Sequence, residues 1–487
     1  MRVVVVGAAG AMGRWTLRDL TESEGVDEVV AADLDGARAR EAAGWAAARS
    51  GSNGTARVSG LALDAGDGQA LRRVFEDADV VCNCAVRATN LPVMEACAST
   101  GTHYVDLGGL FHTTRRQLAM HERFVAAGVT AVVGMGGSPG TTNVLAALAG
   151  RDLDVVEEVE VRLGIADFAP SRAPVPVPYA IQTLLDEFAV PAMAFREGEL
   201  IEVPAMSEQE ELDFPPPVGR VRVGHTLHSE VATLPLHFAD RGIRSVSFKV
   251  GFPADFMDKM ALLTRLGLAD THPVDLPGGR VVPRELLVDR IIQTATMPGP
   301  EAAPDDAEAI WVRVRGRRAG PSGDPALAPR DTGGPPDGVL RNAPRDTGGP
   351  PDGVLRNSPR DTTTSPDGPL IERLAECVVR PHPTWQAGAG QLDTGVPPSI
   401  VAQFLGHKVI DRPGVLAPED AVPPGPYLAE LASRNMEVTL TTSGPALAEG
   451  AGGFGGRSAA QPPDGSRRPE FARRHRQIEA YRRRSLS

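Results

Sequence analysis

The chain has 487 residues, of which 42% are hydrophobic and 23% are charged, and its formal net charge at pH 7 is −12. This length predicts two or three domains with ample core. Outside the C-terminal tail the sequence shows no helix-turn-helix, zinc finger or RNA-binding signature, so nucleic acid is not an expected partner. No stretch approaches the ~20 apolar residues that span a bilayer, so we expect no membrane contact. Four cysteines in so long a chain do not make a disulfide framework, which favours a cytoplasmic location.

The chain opens on a short apolar strand that runs into three glycines and then into a helix. Val3 to Val6 make the strand, and Gly7, Gly10 and Gly13 follow at equal intervals. The first glycine permits a tight turn, the second lets a pyrophosphate approach the backbone, and the third lets the helix pack on the strand. The positive end of the helix then faces the phosphates. This pattern predicts a dinucleotide site; a purely structural glycine turn is the competing interpretation.

A second apolar stretch ends in an acidic residue, Asp33, twenty residues after the third glycine. A carboxylate at this spacing accepts hydrogen bonds from the ribose hydroxyls and repels a 2′-phosphate. The predicted cofactor is therefore NAD. Arg38 and Arg40 follow closely and keep NADP as the alternative.

Residues 1–134 alternate short apolar stretches with helical ones. This alternation predicts an α/β fold, in which a Rossmann doubly wound parallel sheet binds NAD(P) at the carboxyl ends of its strands. The later predicted strands of this domain are Val29–Ala32, Val58–Leu63, Asp79–Cys84, His103–Asp106 and Val129–Val133, and its predicted helices include Leu91–Ser99 and Arg116–Ala126.

Residues 135–393 show a different pattern, in which apolar and polar side chains alternate with period two. Such alternation is typical of an antiparallel sheet with one wet face and predicts a second, α+β domain with a largely antiparallel sheet. The alternating segments are Glu158–Leu163, Val246–Val250 and Ile310–Val314.

A repeat interrupts the second domain. Residues 328–342 recur unchanged at 343–357, and a degraded copy extends the insertion to 369. Its proline and glycine content cannot form a core, so we expect an expanded hairpin loop. DNA slippage explains it most simply, and partner binding is the alternative. Residues 450–487 carry nine arginines against three acidic residues and predict a disordered basic tail; contact with nucleic acid or an acidic surface is the alternative.

Asp106 ends a predicted strand at the edge of the sheet where the nicotinamide would point. Its carboxylate could hold a cationic amine or take its proton, or could cap the following segment. Ser138, Pro139 and Gly140 precede a predicted helix that begins near Asn143. Free amides at such a helix start would capture a substrate carboxylate, and an ordinary helix cap is the alternative.

His228 and Glu230 stand two residues apart on a stretch that reads as a strand, so they would share a face. A histidine beside a carboxylate makes a plausible proton relay at neutral pH. A structural hydrogen bond at a domain interface is the alternative.

Several motifs together resemble the saccharopine dehydrogenase family, within it the saccharopine dehydrogenase-like and lysine 6-dehydrogenase branch. The resemblance covers about residues 1–318 and 370–436. It is carried by the glycine loop, Asp64–Asp67, Tyr104–Gly109, Ser138–Gly140, Leu184–Glu187, His228–Glu230, Arg196–Pro204 and Ile410–Val415.

This resemblance implies NAD(P)-dependent oxidation of a carbon–nitrogen bond in a small-molecule amino acid, or the reverse reductive amination. It also implies a homodimer built through the second domain, and a segment, residues 394–436, that returns to the nucleotide domain. The expected catalytic residues are Asp106, His228 and Glu230, and no metal is expected. The expected cofactor contacts are Gly7, Gly10, Ala11, Met12, Gly13, Asp33, Asp64 and Ala85, and the expected substrate contacts are Tyr104, Ser138, Pro139, Gly140 and Asn143.

The chemistry of this reaction fits these residue types. Oxidation at a carbon that bears nitrogen needs a neutral amine, and an alkyl amine with a lysine-like pKa of about 10.4 therefore needs a base beside it. A carboxylate also stabilises the developing iminium charge. Two other functions stay open on the same scaffold: a carbonyl or imine reductase of a specialised pathway, and a nucleotide-binding protein without catalysis.

Overall fold

The structure is a computed structural model that describes residues 1–50, 56–168, 174–175, 177, 179–295, 304–318 and 368–444. Its strands are β1 (Arg2–Val6), β2 (Glu28–Asp33), β3 (Arg57–Ala62), β4 (Val80–Asn83), β5 (His103–Asp106), β6 (Thr130–Val132), β7 (Val155–Asp167), β8 (Ala192–Arg196), β9 (Glu199–Val203), β10 (Glu210–Asp213), β11 (Arg220–His225), β12 (Ser245–Gly251), β13 (Val274–Leu276), β14 (Gly279–Val281), β15 (Asp306–Arg317), β16 (Leu370–Val379), β17 (Gly414–Leu416) and β18 (Glu437–Ser443). Its helices are α1 (Gly13–Thr21), α2 (Gly36–Arg49), α3 (Gly68–Phe75), α4 (Asn90–Thr100), α5 (Leu110–Leu118), α6 (His121–Ala127), α7 (Thr141–Gly150), α8 (Ile181–Ala189), α9 (Glu230–His237), α10 (Ala254–Arg265), α11 (Pro283–Ala295), α12 (Ala389–Gly406), α13 (Pro418–Ala421) and α14 (Pro424–Ala432).

The first sheet has seven parallel strands in the order β17-β6-β5-β4-β1-β2-β3. Strands β1 to β6 have the doubly wound order. The chain adds β2 and β3 on one side of β1, and then returns to add β4, β5 and β6 on the other side. The crevice for a ligand lies outside the carboxyl ends of the strands at this switch point. The valines of β1 are fully buried because helices cover both faces of the sheet. The predicted Rossmann sheet is confirmed.

The second sheet has nine strands and is mostly antiparallel, with the main order β10-β11-β12-β7-β15-β16-β18, and β8 and β9 attached beside β12. The mixed α+β architecture agrees with the prediction. One pair differs from it, because β12 runs parallel to β7. Period-two alternation marks a strand with one buried face, and it carries no information about the direction of the neighbouring strand.

The polar face of the second sheet is covered by ion pairs across strands. Glu160 on β7 pairs with Arg162 on the same strand and with Arg313 on β15, and Glu158 pairs with Arg315. The opposite faces of the same strands are buried in a core that also contains side chains of the first sheet. The two sheets therefore share one hydrophobic core.

The repeat connects two strands that pair with each other, since β15 and β16 are antiparallel neighbours with Arg317 opposite Leu370. Residues 319–367, which hold the repeat, and residues 445–487, which hold the basic tail, lie outside the described part of the chain. Beyond β16 the chain returns to the first sheet. Helix α12 packs on α1, where Thr16 donates to the Gly395 carbonyl at 2.7 Å, and β17 pairs with β6. The domain limits predicted above, and the homodimer, stay predictions.

Two local predictions were wrong. The helix predicted over Arg116–Ala126 is two short helices, α5 and α6, with a break at Ala119 and Met120. The segment around His228 is a loop that enters helix α9, and is not a strand. Residues 230–235 are all buried, so no exposed face shows whether polar side chains recur with the period of a helix or of a strand. A short run of this kind cannot be assigned to helix or strand from its pattern alone. No helix within the described ranges is both long and apolar enough to cross a membrane.

Candidate active site

A cavity of about 530 Å³ lies between the carboxyl edge of the first sheet and the second sheet. This volume is within the range of small-molecule sites. One wall comes from the glycine loop and the ends of β2, β4 and β5. The facing wall comes from the second sheet and its helices, and includes Glu187, His228, Phe248, Glu308 and Asp393.

The glycine loop has the geometry that a dinucleotide requires. Gly7 has φ of +75°, and a Cβ there would lie 2.7 Å from the Ala85 amide nitrogen. A Cβ on Gly13 would overlap the Gly7 carbonyl oxygen, so this glycine serves the close packing of α1 on the loop. No side chain caps the N-terminus of α1, which is suited to a phosphate. The residues present therefore fit a bound dinucleotide.

The predicted cofactor residues separate into two groups. Seven of the eight line the cavity, namely Gly7, Gly10, Ala11, Met12, Asp33, Asp64 and Ala85, and Gly13 lies behind them in the packing of the loop. Their contacts with a cofactor stay predictions. The neighbouring side chain Cys84 is half-buried, and the described residues contain no group of three or more His, Cys, Asp or Glu that could hold a metal ion.

Asp33 and Arg38 meet at the same residue of the loop. The Ala9 amide donates to Asp33 Oδ2 at 3.1 Å, and Arg38 Nη2 donates to the Ala9 carbonyl at 3.2 Å. A carboxylate and an exposed guanidinium therefore both stand where the adenosine ribose is expected. The first favours a free 2′-hydroxyl, and the second favours a 2′-phosphate.

His228 and Glu230 form a buried pair beside the cavity. His228 Nδ1 lies 2.5 Å from Glu230 Oε2, and the other carboxylate oxygen accepts from Ser138 Oγ at 2.7 Å and Thr142 Oγ1 at 2.8 Å. Burial opposes a charged imidazole, but the Glu230 carboxylate outweighs it and raises the pKa of His228. Burial likewise opposes the Glu230 carboxylate, and His228 with the two hydroxyls lowers the pKa of Glu230. The imidazole stacks on Phe248, with ring centroids 3.9 Å apart.

Glu187, on α8, lines the cavity next to His228. Tyr179 donates its hydroxyl to Glu187 Oε2 at 2.5 Å. Burial raises the pKa of Glu187 to about 7, and His228 and the Tyr179 hydroxyl keep it from rising further. A carboxyl group with a pKa near neutrality can both take and give a proton under physiological conditions.

Asp106 has a different position from the one predicted for a catalytic base. Its carboxylate accepts from Gly134 N at 2.6 Å, Gly108 N at 3.0 Å, Gln117 Nε2 at 2.5 Å and the Tyr104 hydroxyl at 2.8 Å. It is fully buried behind the cavity wall, which includes neither Asp106 nor Tyr104. Burial raises the pKa of Asp106, although these four donors oppose the rise. The geometry favours the capping alternative for Asp106.

The turn at Ser138–Gly140 is not the open anion site that its sequence predicts. Pro139 has no amide hydrogen, and the Gly140 amide donates to Asn143 Oδ1 at 3.0 Å. Asn143 is itself buried, and its amide nitrogen donates to Glu419 Oε2 at 2.9 Å. The prediction that the amides of this turn bind a substrate carboxylate is therefore corrected. Of the three residues, at most Ser138 has a free amide for such a ligand. Ser138 and Pro139 both line the cavity.

A cationic group in the cavity wall was not predicted. Arg87 follows β4 and pairs with Asp186, which also pairs with Arg284. Two guanidinium groups share one carboxylate, so the trio keeps one positive charge. Arg87 is the member that lines the cavity, where it can bind an anion.

Two acidic residues from distant parts of the chain complete the facing wall. Glu308 on β15 and Asp393 on α12 are both buried and both line the cavity. Sequence reasoning missed these two, together with Glu187 and Arg87. A signal was present for two of them: Glu308 occupies an apolar stretch of its strand, and Asp393 is the single charged residue of an apolar helix.

Comparisons with known proteins agree with this architecture. The saccharopine dehydrogenase NADP-binding domain model matches residues 3–132, and the saccharopine dehydrogenase C-terminal domain model matches residues 136–436. Apo histidine-tagged saccharopine dehydrogenase (L-Glu forming) from Saccharomyces cerevisiae has a similar structure, with a TM-score of 0.61 and 15% identity over 91% of this chain and 99% of that one. At this identity the likeness concerns the fold alone.

Two curated relatives are similar over part of the chain. The carboxynorspermidine synthase of Vibrio cholerae serotype O1 is 25% identical over 220 residues, which are 42% of this chain and 50% of the relative. That of Vibrio alginolyticus is 23% identical over 277 residues, which are 53% of this chain and 64% of the relative. The match thus spans between half and two thirds of these relatives. Since the two domain models together cover most of the sequence, the chain belongs to the saccharopine dehydrogenase family.

Proposed function

We propose that this protein is an NAD(P)-dependent oxidoreductase that acts on a carbon–nitrogen bond of an amine bearing a carboxylate. The observation that carries the proposal is that Glu187 and His228, the latter paired with Glu230 behind it, line a cavity whose other wall is the glycine loop. An apolar or filled cleft would have favoured a non-catalytic nucleotide-binding protein. Buried groups that titrate near neutrality instead favour an enzyme.

The first wall would hold the cofactor, with its phosphates at the N-terminus of α1 and its adenosine ribose at Asp33 and Arg38. When bound, the nicotinamide supplies the redox chemistry. The family model describes an NADP-binding domain, and the carboxylate of Asp33 favours NAD, so we propose that both dinucleotides bind.

Arg87 is the proposed partner of the substrate carboxylate. It lines the cavity, and its trio with Asp186 and Arg284 has one positive charge to spare. The two Vibrio relatives are named for the synthesis of a carboxylated polyamine, which supports an amine substrate or product that carries a carboxylate.

Glu187 is the proposed acid–base group. In the oxidative direction its carboxylate takes a proton from the substrate ammonium, and in the reductive direction its carboxyl group returns it. Glu230 holds the His228 ring in place and favours its charged form, and positive charge on this ring offsets the burial of Glu187, whose carboxyl has a pKa of about 7. Without that ring the Glu187 carboxyl would titrate at a higher pH and would be a poor base under physiological conditions.

The test measures reduced cofactor formed from lysine, saccharopine, ornithine and other diamino acids, with NAD and NADP side by side. With an active substrate, Glu187→Gln is expected to lower kcat by roughly 100-fold or more, while cofactor binding stays unchanged. Oxidative turnover of the wild type should rise with pH through about 7, the pKa of Glu187, and His228→Asn should move this rise to higher pH. Glu199→Gln, an exposed carboxyl on β9, is the matched control.

Two results would contradict the proposal. Unchanged turnover in Glu187→Gln would remove this residue from the chemistry. Absence of turnover with every amine, in a protein that binds reduced cofactor, would favour the carbonyl or imine reductase or the non-catalytic protein.

A further inference from the structure

Glu308 and Asp393 form a carboxyl pair in the wall of the cavity. Glu308 projects from β15 and Asp393 from the second turn of α12, and they are 7% and 2% exposed. The side chains are hydrogen-bonded to each other, which requires a proton between them. Burial raises the pKa of Asp393 to about 7, and burial together with Asp393 raises the pKa of Glu308 well above its usual range. As Asp393 loses its proton near neutral pH, its negative charge holds the proton on Glu308, so the pair gains one negative charge there.

The backbone around the pair leaves space for both carboxyl groups. A Cβ on Gly390 would overlap Glu308 Oε1, and a Cβ on Gly137 would overlap Asp393 Oδ2. Two glycines from separate segments thus accommodate these side chains. The site is built around them.

The pair lacks the partner that a buried negative charge normally has. Asp393 Oδ1 is buried and has no hydrogen-bond partner among the described residues, and no described cation forms an ion pair with either carboxyl. Buried acceptors without donors cost stability unless a ligand satisfies them.

A second cavity continues from the pair. It has a volume of about 580 Å³, shares Glu308 and Gly390 with the first cavity, and is lined further by Asp305 and Asp306. An extended cationic ligand could therefore pass from Glu187 to the pair and beyond it. A metal ion does not fit as well, because no group of three or more His, Cys, Asp or Glu among the described residues could hold one.

We propose that Glu308 and Asp393 bind an organic ammonium group, the second amine of a diamine or polyamine substrate whose reacting nitrogen lies at Glu187. The proposal rests on the proposed function for the reacting nitrogen, but the ammonium subsite is testable without turnover. An ammonium group has three donors, which can satisfy Asp393 Oδ1 together with the other acceptors of the pair.

The experiment measures binding by calorimetry on the full-length protein with reduced cofactor present. The probes are putrescine, cadaverine and spermidine, each compared with butylamine or pentylamine, monoamines of equal or similar carbon chain. We expect at least one diamine or polyamine to bind about tenfold or more tightly than the monoamines, which corresponds to ~1.4 kcal/mol. Glu308→Gln with Asp393→Asn should abolish this preference and leave cofactor affinity unchanged. Glu376→Gln, a half-buried carboxyl on the adjacent strand β16, should retain it.

The outcomes separate the two proposals. Equal affinity for diamines and monoamines, or a preference that survives in the double variant, would overturn the ammonium subsite even if the enzyme turns over. A preference that the double variant loses supports the subsite even if no amine is oxidised, in which case only the proposed function fails. Each single isosteric variant, assayed in the same way, covers the case in which the double variant does not fold.

Discussion

The two walls of the cavity are built in different ways. The wall that would hold the cofactor comes from the first sheet, and its key features, the glycine loop and Asp33, lie within one βαβ unit. The facing wall collects Glu187, His228, Glu308 and Asp393 from four separate segments of the second half of the fold. The first wall can be recognised from the spacing of its residues along the sequence, because they are close together in the chain. The facing wall forms only when folding brings its separate segments together.

The carboxyl groups of the two walls also differ in their surroundings. Asp33 is half-buried and accepts from the Ala9 amide of its own loop. Glu187 and Asp393 are buried, and burial raises the pKa of each to about 7. Groups that are kept at the edge of ionisation are expected where a protein binds or transforms charge, and they lower its stability.

Asp106 offers the strongest test of this comparison, because it ends β5 behind the first wall and is as buried as the acids of the second wall. Asp106→Ala removes the acceptor of four hydrogen bonds and leaves buried donors without partners. We expect a loss of roughly 3 kcal/mol or more in the free energy of unfolding. The measurement is urea-induced unfolding, followed by turnover at a temperature where the variant is folded.

Turnover separates the capping and catalytic roles of Asp106. If the residue only shapes the sheet edge, kcat per folded molecule should stay within about threefold of the wild-type value. A fall well over tenfold, with NAD affinity kept, would instead restore Asp106 as a base. Glu202→Ala, on an exposed position of β9, controls for the loss of a carboxylate.

Asp33 and Arg38 provide a test within the first wall. We expect their substitution to change the affinity for the dinucleotide, by a smaller free energy than the loss of stability expected for Asp106→Ala. Asp33→Ala removes the predicted acceptor of the ribose hydroxyls and should raise the KM for NAD by about tenfold, with a smaller effect on NADP. Arg38→Ala should weaken NADP alone, by about threefold, since this guanidinium is exposed. Arg40→Ala is the matched control on the same helix.

Steady-state kinetics with both dinucleotides decides between the two residues. Equal losses for NAD and NADP in Asp33→Ala would mean that the residue holds the loop through Ala9 and does not select the cofactor. An Arg40→Ala effect as large as that of Arg38→Ala would mean that general positive charge, and not the contact with Ala9, attracts the phosphate.

Sequence was sufficient to locate the glycine loop and Asp33 in the cavity wall and to predict the fold class. Local chemistry dictates where a glycine loop and its following carboxylate stand, and alternating strands and helices allow few topologies. The His228–Glu230 contact was also predicted, although from a strand that the structure replaces by a loop and α9. Glu308 and Asp393 could not be paired in advance, because long-range packing alone brings β15 and α12 together.

The smallest expected effect concerns stability and sharpens the contrast between the walls. Asp393 has a raised pKa, so the folded chain binds its proton more tightly than the unfolded chain does. The stability that this proton contributes is complete below the ordinary pKa near 3.8 and is lost as the pH rises to about 7. Asp393→Asn should therefore melt a few degrees higher than the wild type at about pH 8, with a smaller or no advantage at about pH 5.

The groups that face the pair explain why the pKa of Asp393 is raised and not lowered. The negative charges of Asp393 and Asp306 raise the pKa of Glu308, which keeps its proton, and Cys377 and Tyr427, whose pKa values the charge of Asp393 raises, are neutral when protonated. None of them supplies the positive charge that would reverse the shift. Thermal melting of wild type, Asp393→Asn and the exposed-site control Glu202→Gln across this range checks it. An advantage of Asp393→Asn that is equal at both pH values would mean that the pair does not titrate between them. A saturating diamine should remove the difference in melting temperature at about pH 8. The ammonium group then pairs with the Asp393 carboxylate of the wild type, which has no cationic partner among the described residues.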